Sequence, residues 1–237
     1  SMYHAEETHY LINGSTAGIL SAVMGCTKKG GKILMARNCH KSVYHAVFLN
    51  ELRPVYIYPE FDETMELNMA VSPEKIERLL EEHKEVQAVV LTSPTYDGVL
   101  SDIERISEIV HQKKIPLIVD EAHGAHFGFH PYFPENANTK GADVVIHSLH
   151  KTLPALTQTA LIHLNGTRID RRKIRNYLHI FQTSSPSYVL MASMDECLRT
   201  VAEQGDVLFE TYVKNLESKR GELKKLKHIR LMETEEF

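Results

Sequence analysis

Two short apolar runs in this chain break off abruptly into ionisable residues: Ile115-Pro-Leu-Ile-Val-Asp-Glu-Ala-His-Gly124 and Val144-Val-Ile-His-Ser-Leu-His-Lys151. Runs that are apolar without alternation read as central strands of a sheet covered on both faces. In open α/β sheets the ligand crevice lies just beyond the carboxyl ends of the strands. That rule gathers Asp120, His123, Ser148, His150 and Lys151 at one crevice, although 31 residues separate Asp120 from Lys151.

The rest of the chain supports such a sheet. Strands are expected at Lys32–Ala36, Pro54–Pro59, Val86–Leu91 and Thr159–Leu164. Helices are expected from Gly14 toward Lys28, over Val43–Leu52, from Ser72-Pro73 onward, and over Ser101–Lys113. Alternating strands and helices imply parallel βαβ units with right-handed crossovers. Only about ten residues link Ser148 to the next strand, too few for a helical crossover, so those two strands should be antiparallel neighbours. Asp62–Met69 reads as a loop. Helices then take over at Ile169–Phe181, Pro186–Glu203 and Leu208–Leu226, and His228–Met232 looks like the start of a further element.

Composition narrows the function. The 237 residues fit one large α/β domain, and 43% apolar residues are ample for a core. Net charge is −4 with acids and bases interspersed, which favours neither nucleic acid nor an anionic membrane. No 18-residue apolar run suggests a membrane helix, and no signal-peptide pattern opens the chain. Three cysteines without a CxxC pair argue for a reducing compartment, so a cytoplasmic enzyme is expected.

A carboxylate and a lysine at a strand-end crevice suit pyridoxal phosphate (PLP). That cofactor needs a lysine to carry it as a Schiff base and an acid on its pyridine nitrogen. It also needs a phosphate cradle and a group against the ring face. Asp120 suits the acid, because a protonated ring accepts electrons from a carbanion at the substrate Cα. Lys151 suits the Schiff base, because a partly buried lysine near other cations loses its proton more readily. Gly14-Ser-Thr-Ala-Gly18 opens a helix, whose free N–H groups and dipole can hold an anion.

Six motifs appear in one order: Asn13-Gly-Ser-Thr-Ala-Gly18, His40-Lys-Ser42, Thr95-Tyr-Asp-Gly98, Asp120-Glu-Ala-His-Gly124, Ser148-Leu-His-Lys151 and Gln182-Thr-Ser-Ser-Pro-Ser187. Together they resemble the major, cofactor-binding domain of the Orn/Lys/Arg decarboxylase family of fold-type-I PLP enzymes. The resemblance covers nearly the whole chain. It implies an aspartate-aminotransferase-like large domain, with a mixed, mostly parallel sheet flanked by helices. It implies decarboxylation of arginine, lysine or ornithine to the amine and CO₂, a step of polyamine and amino-acid metabolism. Lys151 would carry PLP, Asp120 would pair with the pyridinium nitrogen, and His40 would stack on the ring with Ala122 on the opposite face. Ser15, Thr16, Ser148 and His150 would hold the phosphate. His123 could reach the ring hydroxyl. Thr183 would contact the phosphate of a neighbouring subunit, making the site shared across a homodimer.

Residues 1–204 would form the PLP-binding domain, and 205–237 a helix leading toward a small domain. A motif within about fifteen residues of the start creates the expectation that chain is missing there too. An isolated fragment of this kind is expected to bind PLP weakly and to decarboxylate poorly.

Other readings compete. Another fold-type-I activity, such as an aminotransferase or a lyase, uses the same cofactor frame, and a PLP-binding fragment without turnover is a third reading. Asp120-Glu-Ala-His123 also spells the acidic motif of DEAH-type helicases. That class needs G-x-x-x-x-G-K-[ST]. The nearest stretch, Gly25–Ile33, has an extra glycine before its lysine and Ile33 where the metal-binding hydroxyl belongs. His123, His126 and His130 with Asp120 could be read as metal ligands, but their spacing fits no metal motif, and no metal is expected.

Overall fold

A computed structural model describes residues 2–232. In chain order the elements are β1 (Glu7–Leu11), α1 (Gly14–Cys26), β2 (Lys32–Ala36), α2 (Lys41–Leu49), β3 (Arg53–Ile57), β4 (Phe61–Asp62), β5 (Leu67–Asn68) and α3 (Pro73–Glu82). They continue with β6 (Val86–Thr92), α4 (Ile103–Gln112), β7 (Leu117–Asp120), β8 (Val144–Ser148), α5 (Leu149–Thr152), β9 (Ala160–Leu164), α6 (Arg171–Phe181) and α7 (Tyr188–Leu223). Seven strands make one sheet in the order β1-β9-β8-β7-β6-β2-β3. From β8 to β3 all neighbours run parallel, whereas β9 is antiparallel to both β8 and β1. The sheet is therefore mixed, mostly parallel and flanked by helices, and the short link after Ser148 does produce the antiparallel pair β8–β9.

Side chains alternate across the sheet and sort the core into two layers. Ile33, Met35, Ala88, Val90, Ile118, Val144 and Ile146 face α1, α2 and α6. Leu34, Leu91, Leu117, Val119 and Val145 face α3 and α4. A third cluster sits where Leu149 and Leu161 meet Tyr3 and the first half of α7. Helix starts follow their capping residues: the side chains of Ser72, Asp102, Asp170 and Ser187 accept from the backbone N–H three residues on. On α1, a Cβ at Gly18 would lie 2.7 Å from Leu11, so glycine lets this helix sit close against the sheet.

Three expectations need correction. The expected loop at Asp62–Met69 contains all but Phe61 of a small hairpin, β4–β5, tightened by Asp62 Oδ1 accepting from the N–H groups of Thr64 and Met65. Its two-residue strands are too short to show alternation. The helices expected at Pro186–Glu203 and Leu208–Leu226 are one 36-residue helix, α7. A single mid-helix glycine, Gly205, costs only about 1 kcal/mol, which does not break a helix that is packed on either side of it. Third, His228–Met232 forms neither helix nor strand.

Candidate active site

Because β6, β7 and β8 are parallel and in register, alternation continues past their apolar stretches to the strand ends. Thr92 follows Val90, Asp120 follows Ile118 and Ser148 follows Ile146, all on the face covered by α1 and α2. Thr92 stands directly across from Asp120. The hydroxyls of Thr92 and Ser148 are buried and have no hydrogen-bond partner among the described residues. Asp120, 3% exposed, accepts from the Ala122 N–H at 3.2 Å. Burial pushes its carboxyl up to about 6, against the pull of the Lys151 ammonium and of that N–H. A buried acid flanked by two orphaned hydroxyls is costly for a fold to keep without a polar ligand to satisfy it.

Lys151 rises from α5 toward the same place. It lies at the open mouth of the crevice and is more exposed than a partly buried lysine. Its neighbours still withdraw enough water to lower its pKa, while Asp120 opposes that shift. Lys151 Nζ and His123 Nε2 are 2.8 Å apart. Burial, and then the Lys151 charge, lower the pKa of His123, so the neutral imidazole can accept from the ammonium. Tyr96 holds the His123 ring edge-on at 5.6 Å. His40 caps α2, its Nδ1 accepting from the Ser42 hydroxyl at 2.8 Å, and burial followed by Lys151 lowers its pKa as well. Asp120, His40, His123 and Lys151 thus share one electrostatic neighbourhood.

The expected phosphate groups converge through one turn. The Gly14 N–H donates to the Gln158 carbonyl, and the Leu149 N–H to the Thr159 carbonyl. His150 Nδ1 donates to that same Thr159 carbonyl at 2.9 Å. The start of α1 and the start of α5 are therefore pinned to consecutive residues ahead of β9. Asn13 gives α1 no side-chain cap, so the first-turn N–H groups beside Ser15 and Thr16 remain for a ligand.

Thr183 is not brought to this crevice. It lines a separate cleft of 510 Å³ with Arg175, His179 and Tyr10. Of the three histidines weighed as metal ligands, His126 packs edge-on against Phe127 and Phe133, and His130 pairs with Glu210 at 3.1 Å. Two clefts meet at Lys151. One, of 630 Å³, is lined by Pro94–Gly98, His123 and Pro134, and the other, of 440 Å³ and largely apolar, by Phe133, Leu153, Val201 and Phe209.

Sequence reasoning missed Thr92, which the two-residue period from Ala88 and Val90 would have found. It also missed a buried polar chain behind the site, through Glu121, His147 and His163. The Glu121 carboxyl accepts from the Ala137 N–H and lies 2.6 Å from His147 Nε2. Burial raises its pKa to about 8. Among the described residues no helix is long and apolar enough to cross a membrane.

Comparison with known proteins points the same way. The family described as Orn/Lys/Arg decarboxylase, major domain, matches residues 1–236. The Bacillus subtilis protein YaaO is 44% identical over 195 residues, which is 82% of this chain and 41% of that protein. The arginine decarboxylase of the same organism is 32% identical over 227 residues, covering 96% of this chain and 46% of that enzyme. The solved structure of the Escherichia coli constitutive lysine decarboxylase superposes with a TM-score of 0.80 at 26% identity, covering 95% of this chain and 33% of that one. The chain thus spans less than half the length of each of these three proteins. With the fold of a PLP fold-type-I large domain, this chain belongs to the Orn/Lys/Arg decarboxylase family.

Proposed function

We propose that the chain is the PLP-binding part of a decarboxylase acting on a basic amino acid, arginine, lysine or ornithine, and releasing the amine and CO₂. The observation that carries this is the strand-end crevice itself. A buried acid electrostatically coupled to a lysine, two buried hydroxyls beside it at the strand ends, and an imidazole on that lysine bring together the groups that PLP needs. The residues fit the cofactor. Lys151 would hold its aldehyde carbon, Asp120 its ring nitrogen, and His40 and Ala122 its two faces, with His123 at the ring hydroxyl. Ser15, Thr16, Ser148 and His150 would hold the phosphate. When bound, PLP supplies an electron sink for the pair left behind as CO₂ departs.

The protein's own contributions follow from geometry and charge. Asp120, ionised beside a cation, keeps a proton on the ring nitrogen. His123 Nε2, kept neutral by burial and by the Lys151 charge, accepts a hydrogen bond from Lys151 Nζ and orients a lysine that desolvation helps to lose its proton and act as a nucleophile. The apolar lining of the cleft beside Lys151 would lower the polarity around a reacting carboxylate placed there. The related arginine and lysine decarboxylases support a basic substrate, and Thr183 on a separate surface supports a site completed by a second copy of the chain.

The test supplies PLP and each basic amino acid to the protein carrying this chain, and measures CO₂ against 2-oxo acid. CO₂ with stoichiometric amine is expected, and a 2-oxo acid product would make the enzyme an aminotransferase. Borohydride reduction after PLP treatment, followed by peptide mapping, should label Lys151. Label on another lysine would remove it from its role.

A further inference from the structure

Behind the crevice runs a continuous line of polar side chains that the proposed chemistry does not use. Glu121 Oε2 lies 2.6 Å from His147 Nε2, and His147 Nδ1 lies 3.0 Å from His163 Nε2. His163 Nδ1 lies 2.8 Å from the hydroxyl of Thr8, which is exposed on the edge strand β1. His147 and His163 are wholly buried. The Tyr3 ring packs against both imidazoles at 4.7 and 4.8 Å, and its hydroxyl donates to the Ala125 carbonyl.

Each imidazole has both nitrogens engaged, so each must donate at one and accept at the other. Two arrangements satisfy every link. In the first, the Glu121 acid donates to His147, His147 Nδ1–H donates to His163, and His163 Nδ1–H donates to Thr8. In the second, all donors reverse: the Thr8 hydroxyl donates to His163 Nδ1, His163 Nε2–H to His147 Nδ1, and His147 Nε2–H to the Glu121 carboxylate. The two differ by one proton, lost to water at Thr8, and both rings are neutral in each. Burial favours the uncharged first state by raising Glu121 and lowering both histidines. The other titratable or charged groups in this field are Lys140, Tyr3, His126 and Cys197.

Glu121 also underlies the turn that carries the site. Its carbonyl accepts from the Gly124 N–H, and a Cβ on Gly124 would lie 2.7 Å from Glu121 Cγ. Within that turn, Ala122 holds Asp120 and His123 holds Lys151. The geometry points to Glu121, His147, His163 and Thr8 as a single-proton relay whose state positions the Asp120–Ala125 turn, with Glu121 a positioning residue for the acid and for His123. Its catalytic consequence rests on the proposed role of Asp120. Its existence does not, because the proton is read in the chain without cofactor.

The test is ¹⁵N NMR of histidine-labelled protein from about pH 6 to about pH 10, which brackets a buried carboxyl with a raised pKa. With rising pH, Nε2 of both His147 and His163 should change from acceptor to N–H at one shared midpoint. The His123 signal should move with them. Glu121→Gln, which donates to His147 at every pH, should hold both rings in the Nδ1–H form and abolish the His123 response. Fixed tautomers, separate midpoints or an unresponsive His123 in the unaltered protein overturn the relay, as does continued switching in Glu121→Gln. If that variant does not fold, Thr8→Val should displace the midpoints of both rings together, and a change confined to His163 overturns the relay.

Discussion

At the residue scale, adjacent carboxyls do different things because alternation turns them to different faces. Asp120 points into the crevice, where an unpaired acid is held at about 6 by burial. Replacing it with asparagine keeps the shape and removes the charge that stabilises a pyridinium. We expect CO₂ release to fall by about 10²–10⁴-fold, the range a positioned proton-holding side chain contributes, with cofactor absorbance retained on titration. Unchanged turnover in Asp120→Asn would deny the residue its role. Glu121 points the other way, and its carboxyl is raised from 4.5 to about 8. The folded chain therefore keeps a proton over a range where the unfolded chain has lost it. The stability this group contributes is full below its unfolded pKa and is lost as pH rises toward 8. Glu121→Gln cannot titrate, so its stability relative to the parent should improve by on the order of a few kcal/mol from about pH 5 to about pH 8. Urea unfolding at the two pH values measures this, and a constant difference contradicts it. Asp120 and Ser148 were legible in the sequence because each ends an apolar run, and Lys151 because it follows one of them by three residues. Glu121 was not, since its partners lie on β8 and the loop at Ala137.

At the scale of elements, the sheet was legible because its strands are apolar on both faces and are separated by amphipathic helices. The errors fall where that signal is weakest. Strands of two residues carry no period, which hid β4 and β5. Glu203-Gln-Gly-Asp206 reads like a break, yet α7 runs through it, burying Val201 and Val213 on either side. Gly205 has no left-handed backbone conformation, and a Cβ there would meet Val201 at 3.5 Å and Phe209 at 3.9 Å, ordinary contact distances. Gly205→Ala should therefore stabilise the protein by about 0.5–1 kcal/mol, since alanine loses less backbone freedom in a helix. Denaturant midpoints read this directly, and a destabilised variant would indicate that the helix bends at residue 205 in solution.

At the scale of the whole molecule, the crevice is assembled from residues far apart in sequence: α1, the loop after β2, the ends of β6, β7 and β8, and α5. Parallel order supplies that convergence, which is why strand ends alone were enough to find it. The motif at Thr183 obeys a different logic. It was read from resemblance, and within one chain it faces a cleft beside β1 and α6 rather than Lys151. If Thr183 completes the site of a second subunit, two crippled chains should repair each other. In the protein carrying this chain, Lys151→Ala and Thr183→Ala variants are each expected to be nearly inactive. Co-refolded in equal amounts, half of the dimers pair one chain of each kind. Every mixed dimer then has one site with both residues intact and one with neither, so activity should recover to about a quarter of the unaltered protein. Were the site built within a single chain, mixing would return only the average of the two variants, and Thr183 would have to be assigned to packing along α6 instead.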